Sequence, residues 1–347
     1  MSKKVYVGNV PIGGGEPVKI QTMCDVKTSK IVDVINEIEK VYDLGCDLIR
    51  LAVKDEEDAL AIREIKKNSP IPIVADIHFD YKLALLSIES GVDKIRINPG
   101  NIGCEENVKQ VALALKSSGI AVRVGSNTGS IEKKYLDKYG KNEVSLAESA
   151  LEKVAILERY GVENIVISAK ASYVPLMVKT YRYLAEKTNY PLHIGVTEAG
   201  SKDVGVIKNS VGIGSLLLDG VGDTIRVSLT APITEEVMAA KRILRCVGLD
   251  NNYVEIISCP TCGRTAYDMP SLLSFVEKAT EKVKKPLKIA VMGCVVNGPG
   301  EAKDCDLGIA GGEGKCVIFK KGEVYMTVDD KHAKKFFLDE LTNLINS

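Results

Sequence analysis

Short runs rich in valine and isoleucine alternate along the chain with longer stretches whose apolar residues recur every three to four positions. The short runs are Val18–Thr22, Leu48–Val53, Ile73–Ile77, Lys94–Ile97, Ala121–Val124, Asn164–Ser168, Leu192–Val196 and Thr224–Ser228. Each ends in polar residues or glycine, which is the signature of a strand. Ile31–Leu44, Asp58–Lys67, Tyr81–Ser90, Val108–Ser117, Leu146–Tyr160, Tyr173–Lys187 and Ile233–Cys246 read as helices between or after them. In "VDVINEIEKVYDLG" the spacing is helical and glycine marks the stop. Acidic residues at Asp55–Asp58 and Thr234–Glu236 lie near helix starts, where they suit the helix dipole.

This alternation, run over about 250 residues, predicts a (β/α)8 TIM-type barrel. A doubly wound open sheet is the alternative fold, but no Gly-x-Gly-x-x-Gly fingerprint follows the first strand. "PIGGGEP" comes before that strand and reads as a hairpin or turn. Gly129–Val144, rich in lysine and tyrosine, reads as a long mobile lid. After Gly248 cysteine, proline and glycine become dense, β-like runs appear at Lys288–Met292 and Glu323–Val328, and a last helix is expected at Lys331–Ile345. The chain therefore divides into a barrel over residues 1–250 and a smaller α+β domain over 251–347.

Composition changes this picture little. At 45% hydrophobic and 27% charged the chain is ordinary globular protein, and its formal net charge of +0 argues against bulk attraction to nucleic acid or a membrane surface. No apolar run approaches the roughly 20 residues of a membrane span, and the start lacks the apolar core of an export signal. With nine cysteines and no export signal, the expectation is a cytoplasmic protein whose thiols are reduced, metal-bound or both.

Against that neutral background four triplets stand out: Ile49-Arg50-Leu51, Ile95-Arg96-Ile97, Val122-Arg123-Val124 and Ile225-Arg226-Val227. Side chains alternate along a strand, so the apolar neighbours can face the surrounding helices while each arginine points into the barrel. Barrel active sites lie at the carboxyl ends of the strands. Those ends carry Gln21, Arg50, Asp76, His78, Arg96, Asn98, Arg123, Asn127, Lys170, Glu198, Arg226 and Ser228. Buried cations need anionic partners, and Asp76 and Glu198 are too few to neutralise Arg50, Arg96, Arg123, Lys170 and Arg226. A phosphate-bearing ligand, probed by planar guanidinium groups, answers the excess. Glu198 reads equally as a counter-ion or as a proton donor or base. His193, early in its strand, is expected to pack away from the mouth.

The second domain carries "SCPTCGR", with Cys259 and Cys262 two residues apart, and "MGCVVNGPGE", with Cys294. Such spacing lets one turn offer two thiolates to a metal centre that a distant third completes. An iron–sulfur cluster and a structural zinc, with Cys305 or Cys316 as fourth ligand, are equal readings on spacing. Cys24, Cys46, Cys104 and Cys246 read as small packed residues.

Taken together and in order, "GNVPIGGGEPVKIQTM", "DIHFD", "KIRINPGN", "HIGVTEAG", "SCPTCGRT" and "VMGCVVNGPGEA" resemble the 4-hydroxy-3-methylbut-2-en-1-yl diphosphate synthases in their short bacterial two-domain form. The resemblance spans nearly the whole chain. It implies an oxidoreductase of the non-mevalonate isoprenoid pathway that opens and dehydrates 2-C-methyl-D-erythritol 2,4-cyclodiphosphate. It implies a [4Fe–4S] cluster held by Cys259, Cys262 and Cys294, with Glu301 on the fourth iron, and ferredoxin or flavodoxin as electron donor. Arg50, Arg96, Arg123, Asn127, Lys170 and Ser228 would then hold the diphosphate, and Glu198 would assist proton transfer. Cys24, where a hydroxyl residue is expected, and Cys305, four residues past Glu301, depart from the pattern.

Chain connectivity adds one expectation. The eighth helix, about 20 Å long at 1.5 Å per residue, returns the chain to the bottom of the barrel, and "GLDNN" is a short linker. A two-fold homodimer in which each cluster domain serves the other chain's barrel resolves this. The rival readings are a phosphate-binding barrel lyase or transferase with a zinc module, and a non-enzymatic metal-binding scaffold.

Overall fold

A computed structural model describes residues 1–295, 300, 302–312 and 314–347. The chain forms two compact units, Met1–Leu249 and Asp250–Ser347.

The first unit opens with a hairpin of β1 (Val5–Val7) and β2 (Val10–Ile12). Eight parallel strands follow: β3 (Lys19–Met23), β4 (Leu48–Ala52), β5 (Ile73–Asp76), β6 (Lys94–Ile97), β7 (Ala121–Asn127), β8 (Ile165–Lys170), β9 (His193–Ile194) and β10 (Thr224–Ile225). Their order is β8-β7-β6-β5-β4-β3-β10-β9, and a parallel bridge between Ile167 and Leu192 brings the two ends of that order together. This is the TIM-type barrel that the alternation predicts. The ladders of β9 and β10 are two residues each, shorter than the apolar runs there suggest.

Helices at Ile31–Asp43, Glu56–Asn68, Tyr81–Glu89, Glu105–Ser118, Glu143–Arg159, Val174–Lys187, Lys202–Leu218 and Ile233–Cys246 surround the strands. Asp55 starts the second by accepting from Asp58 N at 2.9 Å. The segment read as a mobile lid is instead folded. It holds a helix at Lys133–Tyr139, and Lys134 pairs with Glu152 of the following helix. Asn142 caps that helix by accepting from Ser145 N at 3.0 Å.

Alternation along the strands sorts the barrel radially. Ile49, Leu51, Ile95, Ile97, Val122, Val124, Ile225 and Val227 join the core between sheet and helices. At the amino-terminal end of the strands the inward side chains are Leu48, Val74, Ala121 and Val166, and the hairpin covers them with Val5, Val7 and Ile12. The hairpin is thus an apolar plug, and the next inward positions along β4, β5 and β7 are Arg50, Asp76 and Arg123.

The second unit is a five-stranded sheet, β11 (Val254–Ser258), β12 (Leu287–Met292), β13 (Leu307–Gly311), β14 (Lys315–Lys320) and β15 (Glu323–Asp329), in that order. The first three are parallel; β14 and β15 pair antiparallel. Helices Met269–Thr280 and Asp330–Asn346 cover one face, where Leu272, Val276, Phe337 and Leu341 meet Ile289, Val291, Ile309 and Ile318. Ala290, Met292, Ala302, Cys305, Ala310 and Phe319 form a smaller core on the other. No described helix in either unit is long and apolar enough to cross a membrane.

Candidate active site

Inside the barrel, Arg50, Arg96, Arg123 and Lys170 are all buried, and Arg123 is 1% exposed. Asp76, 2% exposed, takes Arg50 Nη2 at 2.6 Å and Arg96 Nη1 at 3.2 Å on its two oxygens. His78 Nε2 stands 3.0 Å from the oxygen that holds Arg50. Room for Arg96 is made by Gly125 on the neighbouring strand, where a Cβ would lie 2.8 Å from Arg96 Nε. A second carboxylate comes from the helix Ile233–Cys246: Glu236 lies 4.0 Å from Arg226 Nη2 and accepts from Thr22 Oγ1 at 2.7 Å and Leu229 N at 2.9 Å.

These two carboxylates leave cations over. Among the described residues Arg123 and Lys170 make no salt bridge. Burial pushes both far below their usual range, and Arg123, Arg226, Arg50 and Arg96 push Lys170 down further. Burial would raise Asp76, yet Arg50, His78 and Arg96 reverse it and hold the carboxyl far below the usual carboxylate range. Deeper still, Lys94 and His193 are fully buried. Burial and the surrounding cations drive both pKa values down, which keeps His193 neutral with Nδ1 2.7 Å from Thr224 Oγ1.

Around the rim the expected residues differ in setting. Asn127 and Glu198 are exposed, and Ser228 is half-buried with its carbonyl accepting from Asn209 Nδ2 at 3.3 Å. Glu198 has φ of 52°, a left-handed conformation that a non-glycine residue holds at a cost. It makes no ion pair with the described residues, so the exposed carboxylate is not serving as a counter-ion to the arginines there. Sequence reasoning missed Glu236, Lys94 and Lys153. Only Glu236 left a signal, as an acid in a helix first turn beside a strand end.

In the second unit the carboxyl ends of the adjacent parallel strands β11 and β12 lead directly into the loops of Cys259 and Cys294. Gly293 N donates to Cys259 Sγ at 3.1 Å, and Ala266 N donates to the Gly293 carbonyl at 3.1 Å. Cys262 N donates to Thr265 Oγ1 at 3.2 Å, and Cys262 itself is exposed. A Cβ on Gly293 would lie 3.0 Å from Thr265 Oγ1 and 3.5 Å from Cys259 Sγ, so a side chain there would crowd Thr265. Among the described residues no three ligating side chains surround a single point, and Glu301 lies outside the described residues. Three unpaired thiols on two hydrogen-bonded loops, with a backbone N–H aimed at one sulfur, nonetheless fit a thiolate-ligated metal centre.

Other cysteines separate cleanly. Cys305 and Cys316 are buried in the two opposite cores of the sheet, and burial pushes both thiols up. Cys24 and Cys46 are buried as expected, and Cys24 Sγ donates to Glu37 Oε2 at 2.7 Å. Cys104 and Cys246 are exposed rather than packed, because each lies at a helix end.

The GcpE TIM-barrel domain matches residues 2–241 and the GcpE protein C-terminal domain matches residues 255–345. The chain belongs to the GcpE family. It is 51% identical over 346 residues to the 4-hydroxy-3-methylbut-2-en-1-yl diphosphate synthase (flavodoxin) of Caldanaerobacter subterraneus subsp. tengcongensis, covering 99% of this chain and 98% of that protein. It is 50% identical to the protein of the same name from Brevibacillus brevis, covering 99% and 96%. Among solved structures, dihydropteroate synthase from Stenotrophomonas maltophilia matches with a TM-score of 0.54 at 14% identity, over 71% of this chain and 98% of that one. Type I 3-dehydroquinate dehydratase from Clostridium difficile matches with a TM-score of 0.53 at 15% identity, over 71% and 98%. These distant likenesses speak for the barrel fold alone. In this GcpE-family chain, then, the barrel holds the excess of cations and the second unit holds the thiols.

The Asp76 pairing predicts a defined acid dependence. Because its folded pKa lies below the unfolded value of about 3.9, Asp76 stabilises the protein fully above that value and loses its contribution as pH falls towards the folded pKa. Asp76→Asn strands two buried guanidinium groups and is expected to cost about 3–5 kcal/mol in urea unfolding at pH 7. The gap between wild type and variant should narrow below about pH 4; a gap that stays constant into acid would show that the ionised carboxylate is not what stabilises the barrel.

Proposed function

We propose that this chain reduces 2-C-methyl-D-erythritol 2,4-cyclodiphosphate to 4-hydroxy-3-methylbut-2-enyl diphosphate, opening the ring and releasing water. The conversion consumes a pair of electrons and a pair of protons. The observation that carries the reading is the surplus of arginines: Asp76 and Glu236 are set against buried Arg50, Arg96 and Arg123 and half-buried Arg226, with Lys170 beside them able to charge against an anion. A diphosphate supplies the missing negative charge, and the name shared by the relatives supplies the diphosphate. In this reading Arg50, Arg96, Arg123 and Lys170 bind the phosphate oxygens, Asn127 and Ser228 donate hydrogen bonds, and Glu198 delivers a proton to the departing oxygen. The strained backbone and exposure of Glu198 support that last role, since a carboxylate tied up by an arginine is poorly suited to carry a proton.

Cys259, Cys262 and Cys294 would hold a [4Fe–4S] cluster, with Glu301 as the fourth ligand. Bound there, the cluster supplies the electrons and a Lewis-acidic iron. The electron donor is a flavodoxin or ferredoxin, in keeping with the donor printed in the relatives' names. The protein acts as a homodimer whose active site draws on both chains. Supporting this is connectivity: the last barrel helix ends at Cys246 and the second unit begins at Asp250.

Three outcomes are expected. Anaerobically purified protein should contain iron and acid-labile sulfide; zinc without sulfide would refute the reductase reading. Arg123→Leu should abolish a binding contribution of about 2–5 kcal/mol towards the cyclic diphosphate by calorimetry. Unusually for a core substitution, it should also leave the ligand-free protein as stable or up to about 4 kcal/mol more stable, because it removes an unpaired buried charge. Lost stability with unchanged affinity would make Arg123 a structural group. Finally, an Arg123→Leu chain mixed with a Cys294→Ser chain, each inactive alone, should regain partial activity after subunit exchange, whereas mixed dimers without activity would assign both units of a working site to one chain.

A further inference from the structure

Lys153 belongs to the helix Glu143–Arg159, on the far side of β7 from the ligand side of the barrel, and is 1% exposed. A buried lysine is costly unless its donors are used. Here they are. Nζ donates to Ser126 Oγ at 3.1 Å, to the Ser130 carbonyl at 3.3 Å and to Ser149 Oγ at 3.0 Å, and pairs with Glu132 Oε1 at 2.9 Å. Apart from Ser149, one turn back on its own helix, every partner lies in the segment 126–132. That segment carries Asn127 at its start.

Asn127 is held from within the same loop. Its N–H donates to Ser130 Oγ at 3.0 Å, and that hydroxyl donates back to the Asn127 carbonyl at 3.0 Å, closing the turn Thr128–Ser130. The turn is rigid in itself, but what sets its position is the lysine behind it. The neighbouring loop passes close to the same pair, since a Cβ added at Gly100 would lie 3.5 Å from both Lys153 Cε and Glu132 Oε1. Gly100 in turn donates its N–H to Asn98 Oδ1 at 3.1 Å, two residues past Arg96.

We infer that Lys153 is a positioning residue for the diphosphate site, fastening the loop that presents Asn127 to the helix behind β7. The inference rests on the assignment of Asn127 to the diphosphate. Lys153 itself touches no ligand. An apolar side chain in its place would fill the volume and leave Ser126, Ser130 and Glu132 without their common donor, so the loop would lose its register while the helix stayed packed.

The test compares holoenzyme carrying Lys153→Met, Asn127→Ala and both changes. Lys153→Met should weaken calorimetric affinity for the cyclic diphosphate about tenfold, and the double variant should be no weaker than Asn127→Ala alone, because coupled residues are not additive. Turnover at saturating substrate should change far less than affinity, and backbone amides of residues 127–132 should exchange faster with the rest of the barrel unaffected. Glu132→Gln, a change at a partly exposed residue, should show the same pattern at smaller amplitude if Lys153→Met fails to fold. Effects of Lys153 and Asn127 that multiply, or an unchanged affinity for Lys153→Met beside a lowered one for Asn127→Ala, would overturn the positioning role. Unchanged affinity in both Asn127→Ala and Arg123→Leu would instead remove the diphosphate assignment on which it rests.

Discussion

Two guanidinium groups share the carboxylate of Asp76, at 2.6 and 3.2 Å, inside a barrel whose interior is ordinarily filled by apolar layers. Most of the first unit follows from having to hold that arrangement. A carboxylate buried to this degree is ionised only because the cations outweigh its desolvation, and the cations are tolerable only where a carboxylate or a ligand answers them. Taking the polar groups out of the lower barrel would be simpler, but the strands that carry them also carry the mouth. The apolar duty is therefore moved to the β1–β2 hairpin, whose Val5, Val7 and Ile12 seal the end away from the charges.

This creates a gradient along β4, β5 and β7. Leu48 gives way to Arg50, Val74 to Asp76 and Ala121 to Arg123 as the chain runs from the plug to the mouth. Lys94 and His193 lie among these groups, and burial, reinforced by the surrounding positive charge, favours their neutral forms. Arginine is the suitable cation higher up. Its intrinsic pKa is higher than that of lysine, and its planar fork suits a carboxylate such as Asp76. The barrel thus sets more cationic groups than carboxylates around its mouth, the feature on which the proposed diphosphate site rests.

Period-two alternation made the radial sorting of the arginine triplets legible, since a strand cannot put Ile95 and Arg96 on one face. Charge counting over the same residues exposed the excess of cations. What the sequence hid were partners supplied by helices. Glu236 accepts from Thr22 across 214 positions, and Lys153 reaches Ser126 across 27; in the linear chain each looks like a solvated helix residue. The segment Gly129–Val144 misled for a related reason. Its lysines and tyrosines resemble a free loop, but Lys134 and Glu152 pair across two helices that only the fold brings together. Helix Lys202–Leu218, with Gly205, Gly212 and Gly214, also lacks the plain amphipathic spacing that marked its neighbours. Cysteine spacing separated Cys259, Cys262 and Cys294 from the rest, yet could not show that Cys305 and Cys316 belong to opposite faces of one sheet.

Both units place their reactive groups by the same device. Parallel strands all finish on one side, so the loops that leave their carboxyl ends converge, and residues far apart in sequence become neighbours without any one loop having to travel. In the barrel that edge gathers Arg96, Asn127, Glu198 and Ser228; in the sheet it brings Cys259 and Cys294 together from β11 and β12. The two edges differ in what holds them. At the barrel mouth Lys153 holds the segment 126–132 by its side chain, from the helix behind β7. At the thiol loops the fastening is backbone itself, Gly293 N to Cys259 Sγ and Ala266 N to the Gly293 carbonyl. A site that binds a large anion needs deep, separately supported cations, whereas a site that holds thiolates needs short loops with donors close to sulfur. On the function proposed above, the division of the chain into a barrel and a small mixed sheet gives each site its own scaffold.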